Sequence, residues 1–443
     1  MKYGDKMRIM MLGWEFPPFI SGGLGTACYG LTRAMNQLDT EIIFVLPKPV
    51  TSAYSSHVKL AGPSSCQLAE AEIYSLPEFS HVTFRAFKSF MQPYQSSMSY
   101  EEARKLGLLR LSEQERANLP MESGLFLGGI SSEHYGRDLY DEVQRYARLA
   151  TVIARDEEFD LIHAHDWMTY PAGMAVAAMT GKPLVVHVHS TEFDRSGEHV
   201  NQRVYDIERA GMHAAAHVIC VSYLTRQMVV SRYAVSPEKV SVVYNAIDIK
   251  GKTFENGSVG IKKDEKIVLF LGRITMQKGP EYFLAAARKV LEVMDNVKFV
   301  MAGTGDMIRQ TIELAAEMGI GHKVLFTGFL RGDDVDRVFQ MADLFVMPSV
   351  SEPFGLVPLE ALRNDVPVII SKQSGVAEVL NHALKVDFWD INEMANKIVA
   401  VLRHPPLQAT LREHGNFEVR RFSWLDSAKR CREIYDSLVA PVF

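Results

Sequence analysis

Arg273 and Lys278 follow an apolar run in Phe270-Leu-Gly-Arg-Ile-Thr-Met-Gln-Lys-Gly, a spacing that can set two fixed positive charges over one diphosphate. At an effective dielectric near 20, one such contact is worth about 4 kcal/mol. Two solvated surface charges are the competing reading, the usual fate of Arg and Lys. Glu352 and Glu360 stand at the ends of Glu-Pro-Phe-Gly-Leu-Val-Pro-Leu-Glu, across a loop-to-helix junction. Carboxylates suit sugar and ribose hydroxyls, while Gly355 and the helix start offer N–H groups to phosphate. A capped helix with ordinary acidic residues is the alternative.

Glycines recur at similar junctions. Ser21-Gly22-Gly23-Leu24-Gly25 precedes a helix, where backbone N–H groups and the helix N-terminus can meet phosphate, although a plain strand-to-helix turn would look the same. Gly303-Thr304-Gly305 follows a later strand.

Histidines stand at i and i+2 in His163-Ala-His165 and His187-Val-His189, so strand alternation points each pair to one face. Zinc binding needs a third and fourth ligand, which the spacing does not supply, so a hydrogen-bonded histidine facing a cleft is the preferred reading. Asp334-Val-Asp336 follows Gly332 and opens a helix, where capping and the helix dipole alone favour Asp. That pair is read as structural and no metal site is assigned.

The elements that must position these residues alternate strand and helix. Arg8 to Leu12 reads as a buried strand, followed by a Gly/Pro loop, an amphipathic helix carrying Ala27, Leu31, Ala34, Met35 and Leu38, and a strand from Glu41 to Leu46. Short apolar runs return at 161–164, 184–188, 217–221 and 240–244, as parallel strands buried on both faces require. A second series runs through 267–271, 297–302, 324–327, 344–347 and 366–370, with helices at 282–294 and 307–318. Pro405-Pro406 ends the last sheet-associated helix, and another spans 423–438.

These runs predict two Rossmann-like, doubly wound parallel-sheet domains, residues 1–245 and 246–425, with a terminal helix over 426–443. The first domain is interrupted at about 47–140 by a Ser, Pro and Gly-rich elaboration bearing Phe79, Phe84, Phe87, Phe90 and Tyr94. An insertion of that length serves as a functional segment or lid, or as extra surface packing.

Bulk properties agree. The 443 residues suffice for two or three domains, 47% are hydrophobic and 23% charged, and the formal net charge is -5 without a long block of one sign. Disordered, collagenous and disulfide-scaffold classes drop out, and nucleic acid is not an expected partner. Cys28, Cys66, Cys220 and Cys431 are widely spaced, which argues against a zinc knuckle and for a reducing, cytoplasmic setting. The N-terminal apolar run is too short for a signal peptide, and no stretch approaches the ~20 apolar residues of a transmembrane segment.

Taken in order, the motifs resemble those of retaining glycosyltransferases of the GT-B fold, specifically the family-four enzymes and the related bacterial and archaeal glycogen synthases. The resemblance runs from Arg8 to about Trp424. It implies two Rossmann-like domains facing across a cleft, with the final helix crossing back to the first domain. Glu352 and Glu360 are similar to the family's paired acids, the second holding the nucleotide ribose and the first lying near the transferred sugar. Phe354, Gly355 and Leu356 resemble its diphosphate cradle, and Arg273 and Lys278 its basic pair. His189 resembles the histidine beside the sugar and its departing oxygen. His165-Asp166-Trp167 is similar to a glycogen synthase H-D-W, Asn245-Ala-Ile-Asp248 to N-G-x-D, and Phe422-Ser-Trp424 to the motif before the last helix.

The resemblance implies catalysis by His189, Arg273, Lys278 and Glu352. Gly22, Gly23, Gly303, Phe354, Gly355, Leu356 and Glu360 are expected at the donor, and Glu15, His165 and Asp166 on the acceptor or sugar side. No cofactor is expected and no metal, because the basic pair carries the leaving group's charge. The implied partners are a nucleotide diphosphate-sugar, with glucose as the sugar, and an α-glucan acceptor, to which the Trp14-Glu-Phe-Pro-Pro loop and the H-D-W segment lean. Ile20 stands where glycogen synthases commonly carry lysine, and Ala246 where they carry glycine, departures that bear on the donor base. The alternatives are another saccharide or lipid-linked acceptor, a non-catalytic nucleotide-sugar binder, and an epimerase.

Overall fold

The computed structural model describes residues 7–17, 22–47, 55–57, 72–74, 79–86, 137–248 and 265–439. The first sheet grows from β1 (Arg8–Leu12), α1 (Gly23–Gln37) and β2 (Glu41–Leu46). It continues through β3 (Ser55–His57), β4 (Glu72–Tyr74), β5 (Val82–Ala86) and α2 (Arg137–Arg155). Then come β6 (Leu161–His165), α3 (Tyr170–Thr180), β7 (Leu184–Val188), α4 (Glu192–Ser196), α5 (Gln202–Ala214), β8 (His217–Cys220), α6 (Tyr223–Arg232) and β9 (Val240–Val242).

The strand order is β3-β4-β5-β2-β1-β6-β7-β8-β9. From β5 to β9 every pairing is parallel, and β3 and β4 extend the edge in antiparallel fashion. Every residue of β6 and β7 is buried, as helices on both faces of a parallel sheet demand.

The second sheet has the order β12-β11-β10-β13-β14-β15, all parallel. Its chain path is β10 (Lys266–Leu271), α7 (Pro280–Leu291), β11 (Val297–Ala302), α8 (Ile308–Glu317), β12 (Val324–Gly328), α9 (Asp333–Met341) and β13 (Leu344–Met347). It ends with α10 (Leu356–Arg363), β14 (Val368–Ser371), β15 (Leu384–Val386), α11 (Ile391–Arg403), α12 (Pro405–Val419) and α13 (Trp424–Val439). Two doubly wound parallel domains facing across a cleft are the expected fold class. In the last helix, Tyr435 Oη lies 2.6 Å from His163 Nδ1, Arg432 donates to Thr40, and Trp424 packs against Gly30.

Local chemistry sets the ends. Asn201 and Ser222 cap α5 and α6 with side-chain oxygens, α4 carries a Thr191–Asp194 capping box, and Gly181 closes α3 in the left-handed region. The expected strand at 366–370 begins instead at Val368. Asp365 takes a positive φ, the Val366 N–H returns to Ala361, and Pro367 has no N–H to donate. Likewise the 240–244 strand stops at Val242, and the 282–294 helix runs from Pro280 to Leu291 because proline is at home in a first turn.

Phe79 and Phe84 join Phe16, Tyr29 and Phe44 in an aromatic cluster. Most of the 47–140 elaboration, with Phe87, Phe90 and Tyr94, lies outside the described residues, as do Ile20, Ser21 and Cys66. Cys28, Cys220 and Cys431 are buried and unbridged. Among the described residues no helix is long and apolar enough to cross a membrane.

Candidate active site

At the carboxyl ends of β10 and β13 a pocket is lined by Gly272, Lys278, Met347, Ser349, Glu352 and Val357. Ligands of open α/β sheets bind at this end of the strands. Lys278 Nζ donates to Glu352 Oε2, and Glu352 is 9% exposed. Lys278 closes a single turn of 3-10 helix ahead of Gly279, whose φ of 64° and close approach to the Pro348 carbonyl admit only glycine. Arg273 leaves the end of β10 with its Nη2 3.3 Å from Gln277 Oε1.

Gly303 has a structural part in this loop. Its φ is 140°, and a Cβ there would lie 1.8 Å from the Gly272 carbonyl oxygen, so the segment bearing Arg273 packs directly on Gly303.

Gly355, at φ 110°, turns the chain into α10, whose first turn carries no acidic residue. Phe354 is buried, and its carbonyl accepts from Val376 N–H at 2.7 Å. Glu360 lies one turn further on. Burial pushes its carboxyl above the usual range, Arg363 opposes the shift, and Asp336 adds to it. Such a group gains when hydroxyls donate to its ionised form.

Across the cleft, a Cβ added at Gly23 would lie 3.9 Å from Leu356 Cδ1. The first residues of α1 and α10 therefore face each other, and two positive helix ends converge. Glu15, 4% exposed, accepts from Gly25 N–H at 3.1 Å and takes up one amide of the α1 terminus.

Asp166 occupies φ 58°, a left-handed conformation that costs a non-glycine residue energy, at the end of β6. Its Oδ1 accepts from the backbone N–H of His189 at 2.7 Å and of Ser190 at 3.3 Å. Burial raises its carboxyl to about 7, against the pull of the His189 N–H and Arg195.

His163, His165, His187 and His189 lie against one another on one face of β6 and β7. The two histidine pairs were expected to lack a third ligand for a metal. Instead the register sets His165 opposite His187 and gathers ligand atoms of His163, His165 and His187 within 4.8 Å. His189 Nε2 lies 2.9 Å from His165 Nδ1, and His189 Nδ1 is buried without a partner among the described residues. Burial holds all four imidazoles below their usual pKa, His165 at about 3.

Asp334 and Asp336 sit in the first turn of α9, paired with Arg337 and Arg363, a structural arrangement as expected. Contacts between the domains were not legible in the spacing. Ser351 donates to Asp194 at 2.5 Å, and Glu378 accepts from the N–H groups of Tyr223 and Leu224 that open α6. The capping box around Asp194 was the one local signal of that residue.

Residues 123–250 match the family described as Glycosyltransferase Family 4, and residues 251–416 match Glycosyl transferases group 1. An uncharacterized glycosyltransferase of Methanocaldococcus jannaschii is 31% identical over 388 residues, covering 85% of this chain and 83% of the relative. The glycogen synthase of Mycobacterium tuberculosis is 23% identical, over 97% of this chain and 94% of its own length. Sucrose-phosphate synthase from Thermosynechococcus elongatus shares the fold, with a TM-score of 0.71 at 18% identity over 98% of this chain and 99% of that one.

Proposed function

The chain is a glycosyltransferase of the GT-B, family-4 type, and from that premise we propose that it transfers glucose, with retention of configuration, from a nucleoside diphosphate-glucose to an α-glucan. The observation that carries the reading is the approach of Gly23 to Leu356, which brings the first residues of α1 and α10 together, with Gly355 at the start of α10 packed against Glu352. A diphosphate fits two converging positive ends and a pair of cations. Similarity to a glycogen synthase over nearly the whole chain supports the glucan acceptor.

In this reaction the bond between the anomeric carbon and the phosphate oxygen breaks, and its electron pair goes to the diphosphate. Arg273, Lys278 and the N–H groups at the start of α10 stabilise that charge, so no metal is needed. The acceptor hydroxyl oxygen forms the new bond on the same face of the sugar and passes its proton to the leaving phosphate oxygen. Glu360 holds the ribose hydroxyls, and Glu352 works beside the sugar. His189 contributes a neutral imidazole beside the sugar.

Asp166 fixes the backbone of His189 and Ser190. Glu15 orders the start of α1. With His165, both residues are assigned to the acceptor side of the reaction.

A screen of UDP-, ADP- and GDP-sugars with and without α-glucan tests the proposal. Glucosyl incorporation into glucan from one of them is the expected result. Transfer only to another saccharide or a lipid-linked acceptor, or nucleotide-sugar binding without transfer, would overturn it.

A further inference from the structure

We propose that His163, His165 and His187 form a binding site for a first-row transition metal ion, Zn2+ foremost, in the interior of the first domain. The three imidazoles are at most 2% exposed. Four of their ring nitrogens, His163 Nε2, His165 Nε2 and both nitrogens of His187, have no hydrogen-bond partner among the described residues. Buried imidazole nitrogens without partners are costly, and several on one face of two adjacent strands call for a shared ligand.

The hydrogen bonds that do exist fit metal ligation. His163 meets Tyr435 Oη through Nδ1, and His165 meets His189 through Nδ1. If each Nδ1–H donates in those bonds, both Nε2 lone pairs are left for a metal, the arrangement in which an outer partner fixes the tautomer of a ligating histidine.

One ligand nitrogen from each residue lies within 4.8 Å of the others. Zinc bonds of about 2.0–2.1 Å require small rotations of the rings toward one centre, and three imidazoles leave the fourth tetrahedral position to water. The three sit on β6 and β7, whereas Arg273, Lys278 and Glu352 belong to the second domain, so this ion would brace the sheet behind His189 and take no part at the diphosphate. The inference does not rest on the transfer reaction, because its readout is bound metal.

The test loads the full-length chain with Zn2+ after exhaustive chelation and measures metal retained on gel filtration, together with the melting temperature. Close to one Zn2+ per chain and a melting temperature raised by several degrees are expected. His187→Leu should abolish the retained zinc, and Tyr435→Phe, which removes the outer partner of His163 and keeps the ring, should weaken binding roughly ten-fold or more. No retained zinc in the wild-type chain, or equal retention in His187→Leu, would overturn the site. If His187→Leu does not fold, X-ray absorption at the zinc edge of the wild-type chain decides: three imidazole nitrogens sustain the proposal, and a shell of oxygen or sulfur ligands refutes it.

Discussion

Lys278 Nζ and Glu352 Oε2 are joined by a hydrogen bond and ion pair between residues 74 positions apart in sequence, with side chains 20% and 12% exposed. On the proposed reading, a diphosphate entering the pocket competes with Glu352 for Lys278, and gains most from it when the bond to the sugar breaks and charge builds on the leaving oxygen. Lys278→Ala and Arg273→Ala are each expected to lower turnover by roughly a hundred-fold or more, since ~3 kcal/mol is about two decades of rate. Donor affinity should fall less. Steady-state kinetics of the double variant should show less than the product of the single losses, because both cations share one diphosphate. Near-normal turnover in both single variants would confine the two cations to structural contacts and remove them from the chemistry.

Glu360 gives a pH prediction with a defined sign. Its pKa is raised by burial in the free chain, and hydroxyls donating to the carboxylate would lower it in the complex. Donor affinity should therefore rise with pH through the free-state pKa and level off above it, with protons released on binding. Calorimetry in buffers of different ionisation enthalpy measures that release. Glu360→Ala should abolish the pH dependence and weaken the donor by about 1.5–3 kcal/mol. Unchanged donor affinity in the variant would remove Glu360 from the ribose.

Gly303→Ala tests the backbone support of Arg273. The substitution places a Cβ against the Gly272 carbonyl at a φ that side chains rarely adopt. A loss of about 2 kcal/mol or more of stability is expected, read as a lower melting temperature, together with reduced turnover from a displaced Arg273. A variant with wild-type melting temperature and kinetics would show that the loop does not depend on this contact.

Most central strands were legible because a parallel sheet buried on both faces leaves a continuous apolar run, as at Arg8–Leu12 and Leu184–Val188, whereas β3, β4, β5 and β15 leave no such run and were not read. Where backbone chemistry rather than hydrophobicity sets an end, the reading slipped, as at Pro367. The pocket residues were legible because glycine, Arg, Lys and Glu recur just beyond strand ends. Pairing across strands and domains was not. Nothing local reports that His187 stands opposite His165, that Tyr435 reaches His163, or that Ser351 meets Asp194, because each contact depends on register or docking between distant segments.

Chelation separates the two roles a metal could have. If Arg273, Lys278 and the start of α10 carry the diphosphate charge, as proposed, turnover should be unchanged in EDTA. The melting temperature should fall by several degrees as the histidine site empties. Loss of turnover restored by Mg2+ or Mn2+ would count against the metal-free mechanism while leaving the histidine site intact.

The most direct test of the central claim is the anomeric configuration of the first product, followed by proton NMR with a nucleoside diphosphate-α-glucose donor and an α-glucan acceptor in the presence of EDTA. The account predicts a new α-glucosyl linkage on the glucan, formed in step with release of the nucleoside diphosphate. A β-linkage, or donor consumption that leaves the glucan unextended, would contradict it.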